Sequence, residues 1–356
     1  MSRSLKDLLD NPGRWLQGDG PSAEVVLSSR VRLARNLASV PFPPRARKEQ
    51  LAGVIQTTLA AAQEMPPLAG AEFLALTDMP PQGRTFLVER HLISRDLAQG
   101  SRLRGVLVAP GEELSVMINE EDHLRVQTLA SGFQLDEAWR RVNELDDLLG
   151  RELAYAFRPD FGYLTACPTN VGTGIRASVL IHLPSLVLTK QAKKVLQGVS
   201  AVGLAVRGFH GEGTEVMGNF FQVSNQTTLG LSEKDIVDNL QRVTRQLIDY
   251  ESKARDAMLR SARIQVEDKV WRAWGALGNC RSISSQEAIS LASAVRFGLA
   301  MGLEGLCDIR ALNEIMVYAQ PAHIQQMAGR EAEGGERNIL RADYIRKRLK
   351  PPASPN

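Results

Sequence analysis

The apolar pattern of this chain changes period once, near residue 230, and no fold built from a single kind of element accommodates both parts. From about 71 to 230 the apolar residues come in short β-branched or alternating runs: FLALTDM, GRTFLVERHLIS, RLRGVLVAP, LSVMIN and HLRVQTLASG. Gly, Pro and Asp separate them at intervals that suit an antiparallel sheet. Beyond 230, Ile236, Leu240, Val243, Leu247, Tyr250 and Ala254 recur at helical spacing, behind a capping-box-like start at Ser232 and Asp235. From there to about 350 the pattern is helical. Ala288, Leu291, Val295 and Leu299, and then Ile309, Leu312 and Ile315, form apolar stripes that must be buried in a core or against a partner. The reading is an α+β chain: an antiparallel sheet flanked by helices, followed by an all-helical C-terminal domain. The boundary falls near 255–265, within or at the end of the long helix.

Upstream, residues 1–23 read as one short amphipathic helix with Leu5, Leu8, Leu9 and Trp15, then a Gly/Pro-rich loop. EVVLSSRVRLARNL reads as a strand with alternating basic residues. Helices are expected at 46–65, stopped by MPPLAG, and at 134–150 and 184–198. The 356 residues thus divide into a short segment 1–23, a mixed domain 24–255 and a helical domain 256–356. Formal net charge is only +3, which excludes polyanion binding by bulk charge; any anion site must be local. Three cysteines, Cys167, Cys280 and Cys307, with no CxxC pair, give neither a disulfide framework nor a zinc site and suit a reducing cytoplasm. No segment has the apolar length of a signal peptide or a bilayer span, so the expectation is a cytoplasmic protein with no membrane partner. The basic stretch RKRLK at 346–350 reads as a solvated helix end. Aromatic residues do not interleave it, so direct nucleic-acid binding is not expected.

The chemistry concentrates in the mixed domain. SSRVRLARN places Arg30 and Arg32 two apart, hence on one face of a strand. Adjacent guanidiniums repel unless an anion lies across them, and Arg suits bidentate phosphate contacts. The alternative is an exposed edge strand that carries charge to prevent aggregation. CPTNVGTGIRASV (167–179) sets a cysteine and Arg176 around glycines that let backbone N–H groups approach a ligand. VRGFHGEGTEVMGN (206–219) carries Arg207, Glu212 and Glu215. The octet INEEDHLR (118–125) ends an apolar run with Glu121, His123 and Arg125. No GxxxxGK[ST], HRD or DFG occurs, so a phosphate site here must be built mainly from arginines on a sheet. Carboxylates and a cysteine beside them could face a cation. One site would then hold an anionic donor and a cationic acceptor.

SSRVRLARN, ERHLIS, NEEDHLR, CPTNVGTGIRASV and RGFHGEGTE with SNQTTLG resemble, in order and spacing over about 24–255, the ATP:guanidino phosphotransferases, the superfamily of arginine and creatine kinases. Within it the chain is most similar to the bacterial protein arginine kinases. Phosphagen kinases carry a whole N-terminal helical domain, where this chain has 23 residues before the arginine strand and about a hundred after the catalytic part. The resemblance implies ATP with Mg²⁺ as cofactor and no metal ligands from the protein. The nucleotide would lie against Ser28, Ser29, Arg30, Val31, Arg32, His91, Arg125, Arg176, Ala177, Ser178, Val179, Leu180, Arg207, Gly208, Phe209, His210, Gly211 and Glu212. Glu121 would hold the acceptor guanidinium and act as base, Cys167 would contact it, and Glu215 or Glu212 would supply a second carboxylate. His210 stands where arginine kinases have a phosphate-binding arginine, and Leu180 where they have a histidine beside adenine.

The helical domain of that branch bears an RDxxRA motif that binds phosphoarginine as an allosteric ligand. Here the stretch is RNILRA, giving Arg337, Asn338, Arg341 and Ala342; Asn338 replaces the charged Asp, which implies weaker effector binding. The resemblance further implies arginine-bearing protein substrates, a ClpC–ClpP-type protease and ClpC-type unfoldase downstream, a heat-shock repressor as target, an activator protein, and a homodimer or larger assembly. The other readings are a free-arginine phosphagen kinase and an inactive phosphoarginine-binding regulator.

Overall fold

A computed structural model describes residues 3–208 and 217–350. Its helices and strands, in chain order, are α1 (Arg3–Asp10), β1 (Val26–Arg35), α2 (Lys48–Gln63), β2 (Glu72–Ala75), α3 (Pro81–Glu89), α4 (Arg95–Gln99), β3 (Gly105–Val108), β4 (Leu114–Ile118), β5 (Leu124–Ser131) and α5 (Leu135–Glu152). There follow β6 (Phe157–Arg158), β7 (Gly162–Tyr163), β8 (Ile175–His182), α6 (Pro184–Leu188), α7 (Ala192–Ala201), β9 (Leu204–Gly208) and β10 (Phe220–Asn225). The C-terminal part is α8 (Glu233–Asn279), α9 (Ser285–Ala300), α10 (Ile309–Tyr318), α11 (Pro321–Ala328) and α12 (Gly334–Leu349).

Eight strands form one sheet in the order β2-β3-β4-β5-β1-β8-β10-β9, every neighbouring pair antiparallel. β6 and β7 make a separate small hairpin. Alternation decides what each face does. Val31, Leu33, Val126, Val179 and Val223 point to one side and join Val142, Leu145, Leu240 and Leu247 of α5 and α8 in the main core. The other face carries polar residues, closed at one end by Trp15, Leu129, Leu180 and Phe220 packed with Met316, Val317 and Tyr318 of α10. The arginine strand is therefore interior to the sheet, paired with β5 and β8, and not an exposed edge.

α8 starts where expected: Ser232 Oγ accepts from the Asp235 N–H at 3.1 Å and the Asp235 carboxylate reaches back to Ser232. It runs through both halves with one departure from helical geometry, at Ala262 (φ −146°, ψ 32°). Its first half packs on the sheet, while Ala273 and Leu277 join Ala288, Val295, Leu312 and Ile315 in a separate helical core. Tyr250, expected inside, is exposed; the neighbouring Glu251 is buried instead, accepting from the N–H groups of Ser185 (2.7 Å) and Leu186 (3.0 Å) at the start of α6.

Four local expectations are corrected. GRTFLVERHLIS is not a strand: Pro81 opens a helix, and Phe86 and Leu87 are buried on one side of it. The helix expected over 184–198 breaks into α6 and α7 around Lys190, whose φ is 60°. The N-terminal segment is a helix that ends at Asp10, followed by a separate turn at Arg14–Leu16 that buries Trp15. The basic end of α12 is not simply solvated: Arg346 donates to Cys280 O and pairs with Asp343, and Arg348 pairs with Glu314 at 2.5 Å.

Candidate active site

Antiparallel partners share a face, so register alone assembles the site. Arg32 lies opposite Gln127 on β5 and Arg176 on β8, Arg30 opposite Leu129 and Ser178, and Arg125 opposite Ala34. Gln222 lies opposite Leu180 and also opposite Arg207. Arg30, Arg32, Arg125, Arg176 and Arg207 are thus on one face, the side away from the main core. Ser29, Val31, Ala177 and Val179 alternate to the other side; Ser29 Oγ donates to Gly132 O at 2.9 Å, and the other three are core residues. Of the runs expected to line the nucleotide, Ser28, Arg30, His91, Ser178 and Leu180 share a small recess. Arg30, Arg32, His91 and Arg207 also open on a cavity of about 920 Å³ walled by α3 and α4.

Burial and like charge act together on these arginines. Burial, with Arg125 and Arg176 nearby, lowers Arg30 from 12.5 to about 10. Arg32 is pushed well below its usual value by burial and by Arg30, Arg125 and Arg176. Its Nε is buried with no hydrogen-bond partner among the described residues. An unpaired buried donor is costly, and the repulsion is relieved by an anion with several oxygens. Arg176 donates to Ser224 Oγ at 3.2 Å. Arg30 donates from Nε (3.0 Å) and Nη2 (2.6 Å) to Gln127 Oε1, and Gln127 Nε2 donates to His91 O at 2.9 Å.

The acceptor end is made by two loops. Glu121, in the β4–β5 connection, lies 3.3 Å from Arg125, and the Cys167 thiol lies near its carboxylate. Burial raises its pKa, against the lowering effects of Arg125 and of the nearby Cys167. The Cys167 thiol is also 3.0 Å from Thr169 Oγ1. Asp122 joins the loops: its Oδ1 accepts from Asn36 Nδ2 at 2.6 Å and from the Ala166 N–H at 2.7 Å. His123 is fully buried; its Nδ1 accepts from the Leu37 N–H at 3.1 Å, so Nε2 is the donor to Pro41 O, also 3.1 Å away. Burial lowers its pKa to about 4, which makes it a neutral structural residue and not the base. Glu120 pairs with Arg125 at 2.5 Å and accepts from Ser94 Oγ at the start of α4. Gly208 closes β9, whereas Phe209, His210, Gly211, Glu212 and Glu215 lie outside the described residues.

The C-terminal motif sits on α12. Arg341 is buried; its Nε donates to Ala319 O (2.6 Å), and its Nη1 to Ile283 O (2.8 Å) and Asn338 Oδ1 (2.6 Å). Arg337 Nη1 donates to Ala332 O at 2.6 Å, and Ala342 is in the helical core. Sequence reasoning missed Gln127, Glu120 and Glu89. Glu89 ends α3, lines the large cavity, and accepts from the N–H groups of Ala322 (2.9 Å) and His323 (3.1 Å), which begin α11. Its only sequence signal is membership of the ERHLIS run.

Five arginines on one sheet face, beside a carboxylate and a thiol on neighbouring loops, have the chemistry that a guanidino phosphotransferase requires. The family model for the ATP:guanido phosphotransferase C-terminal catalytic domain matches residues 54–254, and that for the protein-arginine kinase McsB C-terminal domain matches 263–356. The chain is 49% identical over 340 residues to a protein-arginine kinase of Symbiobacterium thermophilum, covering 94% of this chain and 96% of the relative. It is 45% identical over 349 residues to that of Bacillus subtilis, covering 97% and 96%. Among solved structures, the duplicated taurocyamine kinase of Schistosoma mansoni with bound transition-state analogue components superposes with TM-score 0.61 and 28% identity, over 66% of this chain and 34% of that longer one. Lombricine kinase shares the fold at TM-score 0.59. The chain belongs to the protein-arginine kinase family of ATP:guanido phosphotransferases. Its reaction is ATP-dependent phosphorylation of arginine.

Proposed function

We propose that the arginine face holds the ATP triphosphate while Glu121 and Cys167 hold the side chain of a protein-borne arginine. The observation that carries this is the five-arginine face with Glu121 3.3 Å from its Arg125 and the Cys167 loop beside it. A guanidinium has no free lone pair and keeps its proton at neutral pH. The Glu121 carboxylate orients it and takes a proton from the attacking nitrogen as the N–P bond forms; the bond between the γ-phosphorus and its bridging oxygen breaks, and ADP leaves with that electron pair. The arginines stabilise the equatorial oxygens during transfer. Mg²⁺ would be carried on the phosphates, where it would supply further charge neutralisation. Glu212 or Glu215 supplies the second carboxylate.

The phosphoarginine product would mark proteins for a ClpC–ClpP-type protease, with a heat-shock repressor among the substrates and an activator protein among the partners. Phosphoarginine binding at Arg337, Asn338, Arg341 and Ala342 would regulate a homodimeric or larger enzyme in the cytoplasm. No helix among the described residues is long and apolar enough to cross a membrane. Incubation with ATP and either denatured protein or free arginine tests the substrate assignment. Acid-labile phosphate on protein arginines is expected; label on free arginine alone would refute it.

A further inference from the structure

We infer that Gln127 is a positioning residue for ATP: it aims Arg30 at the phosphates without cancelling its charge. This rests on the reading that the arginine face holds the triphosphate. Gln127 is 1% exposed and lies on β5, opposite Arg32, among the arginines. Its amide is used at both ends. Oε1 receives both Nε and Nη2 of Arg30, while Nε2 is anchored on the carbonyl of His91. His91 is itself held in a left-handed conformation (φ 60°) just past α3, with its ring 5.5 Å from that of Trp15. The brace therefore fixes Arg30 relative to the α3 wall of the cavity as well as to the sheet.

The amide chemistry is what the position requires. Arg30 is repelled by Arg125 and Arg176, so without an acceptor it would swing away from them. A carboxylate in place of the amide would hold it, but as an ion pair competing with phosphate for the same guanidinium. A carboxylate would also set an acceptor against the His91 carbonyl. A neutral acceptor orders the side chain, takes one edge of the guanidinium and leaves Nη1 to the ligand. Gln is the residue long enough to do this while donating backwards to the scaffold.

The test is a double-mutant cycle on the full chain, reading KM for ATP and KM for a denatured acceptor protein. Gln127→Leu is expected to raise KM for ATP about tenfold, the value of one lost charge-assisted hydrogen bond, and to leave the acceptor KM within about twofold. Gln127→Glu should raise it at least as far. In an Arg30→Lys background, Gln127→Leu should add less than about twofold, because its effect passes through Arg30. Equal effects on both KM values, or full additivity with Arg30→Lys, would overturn the inference. If Gln127→Leu does not fold, Gln127→Glu and its cycle with Arg30→Lys decide in the same way. If Arg30→Lys alone leaves KM for ATP unchanged, the reading of the arginine face itself fails; if Arg30→Lys matters and neither Gln127 variant does, only the role of Gln127 fails.

Discussion

The Cys167 thiol lies near enough to Glu121 to act on its ionisation, although the two stand on different loops, one joining β4 to β5 and the other leading into β8. Burial raises the pKa of this carboxylate, and Arg125 and then the thiol offset part of that rise. A base must be ionised to accept a proton. The acid limb of kcat/KM should therefore lie above the ordinary glutamate range of about 4.3. Cys167→Ala removes a group that lowers this pKa, and should move that limb higher. A pH–rate profile of the two proteins checks this; an unmoved limb would separate Cys167 from the base.

Glu121→Gln keeps the size of the side chain and removes the proton acceptor. It should lower kcat by about 10²–10⁴. ATP affinity, set on the arginine face, should change by less than about threefold, since the pairing of Glu121 with Arg125 is partly exposed and longer than that of Glu120. Steady-state kinetics with nucleotide-binding measurements distinguish the two effects.

Asp122 ties the acceptor loops together, so its loss should damage both stability and rate. Asp122→Ala leaves one N–H of Asn36 Nδ2 and the Ala166 N–H without an acceptor, while Asn36 Nδ2 keeps Leu164 O at 3.1 Å. A cost of about 2–4 kcal/mol is expected. Urea unfolding would measure it, and kcat should fall as Cys167 loses its placement against Glu121.

Glu89 predicts a pH dependence of stability. Burial raises its pKa from 4.5 to about 7, against the bonds from Ala322 and His323 and the Arg341 charge. The folded state then binds more protons than the unfolded one between these values, so this residue's contribution to stability is present below about 4.5 and is lost as pH rises through 7. Unfolding experiments between pH 5 and 8 should show Glu89→Gln gaining on the parent protein by about 1–3 kcal/mol as pH rises. A constant difference would refute the shift.

The Arg341–Asn338 bond gives a regulatory prediction. A neutral amide holds this arginine by hydrogen bonding alone. Asn338→Asp restores the charge of the motif, which would attract the guanidinium of the effector, and should tighten phosphoarginine binding about tenfold by calorimetry. Unchanged or weaker binding would refute the assigned role of the motif.

The arginine face was legible in the sequence because a strand converts spacing into direction: Arg30 and Arg32 two apart must share a side, and the neighbouring strands carry Arg125 and Arg176 in register. The start of α8 was legible because Ser232 and Asp235 satisfy each other locally. The helix α3 was not. The apolar residues of the GRTFLVERHLIS run are clumped as Phe86–Leu87 within the helix and Leu92–Ile93 beyond it, and what fixes the segment is distant: Glu89 bonds α11, and Arg90 bonds Tyr318 at 3.1 Å. Gln127 was equally silent, since an amide inside an alternating strand shows its purpose only when Arg30 and His91 stand on either side of it. Glu120 had no signal beyond its place in the INEEDHLR octet, yet its partners Ser94 and Arg125 make it a strut between α4 and the sheet.

α8 has a practical consequence for anyone who takes the chain apart. The two family models meet between residues 254 and 263, at the departure from helical geometry at Ala262. A fragment cut there looks natural on a domain map. Yet Arg296 of α9 bonds Ala23 O, Asn313 bonds Leu16 O at 3.0 Å, and Tyr318 bonds both Arg90 and Leu9 O. Separate expression would strip Trp15, Phe220 and Leu180 of the α10 surface that covers them, leaving an adhesive patch beside the recess at Arg30. Fragments made at that seam should be purified as a co-expressed pair.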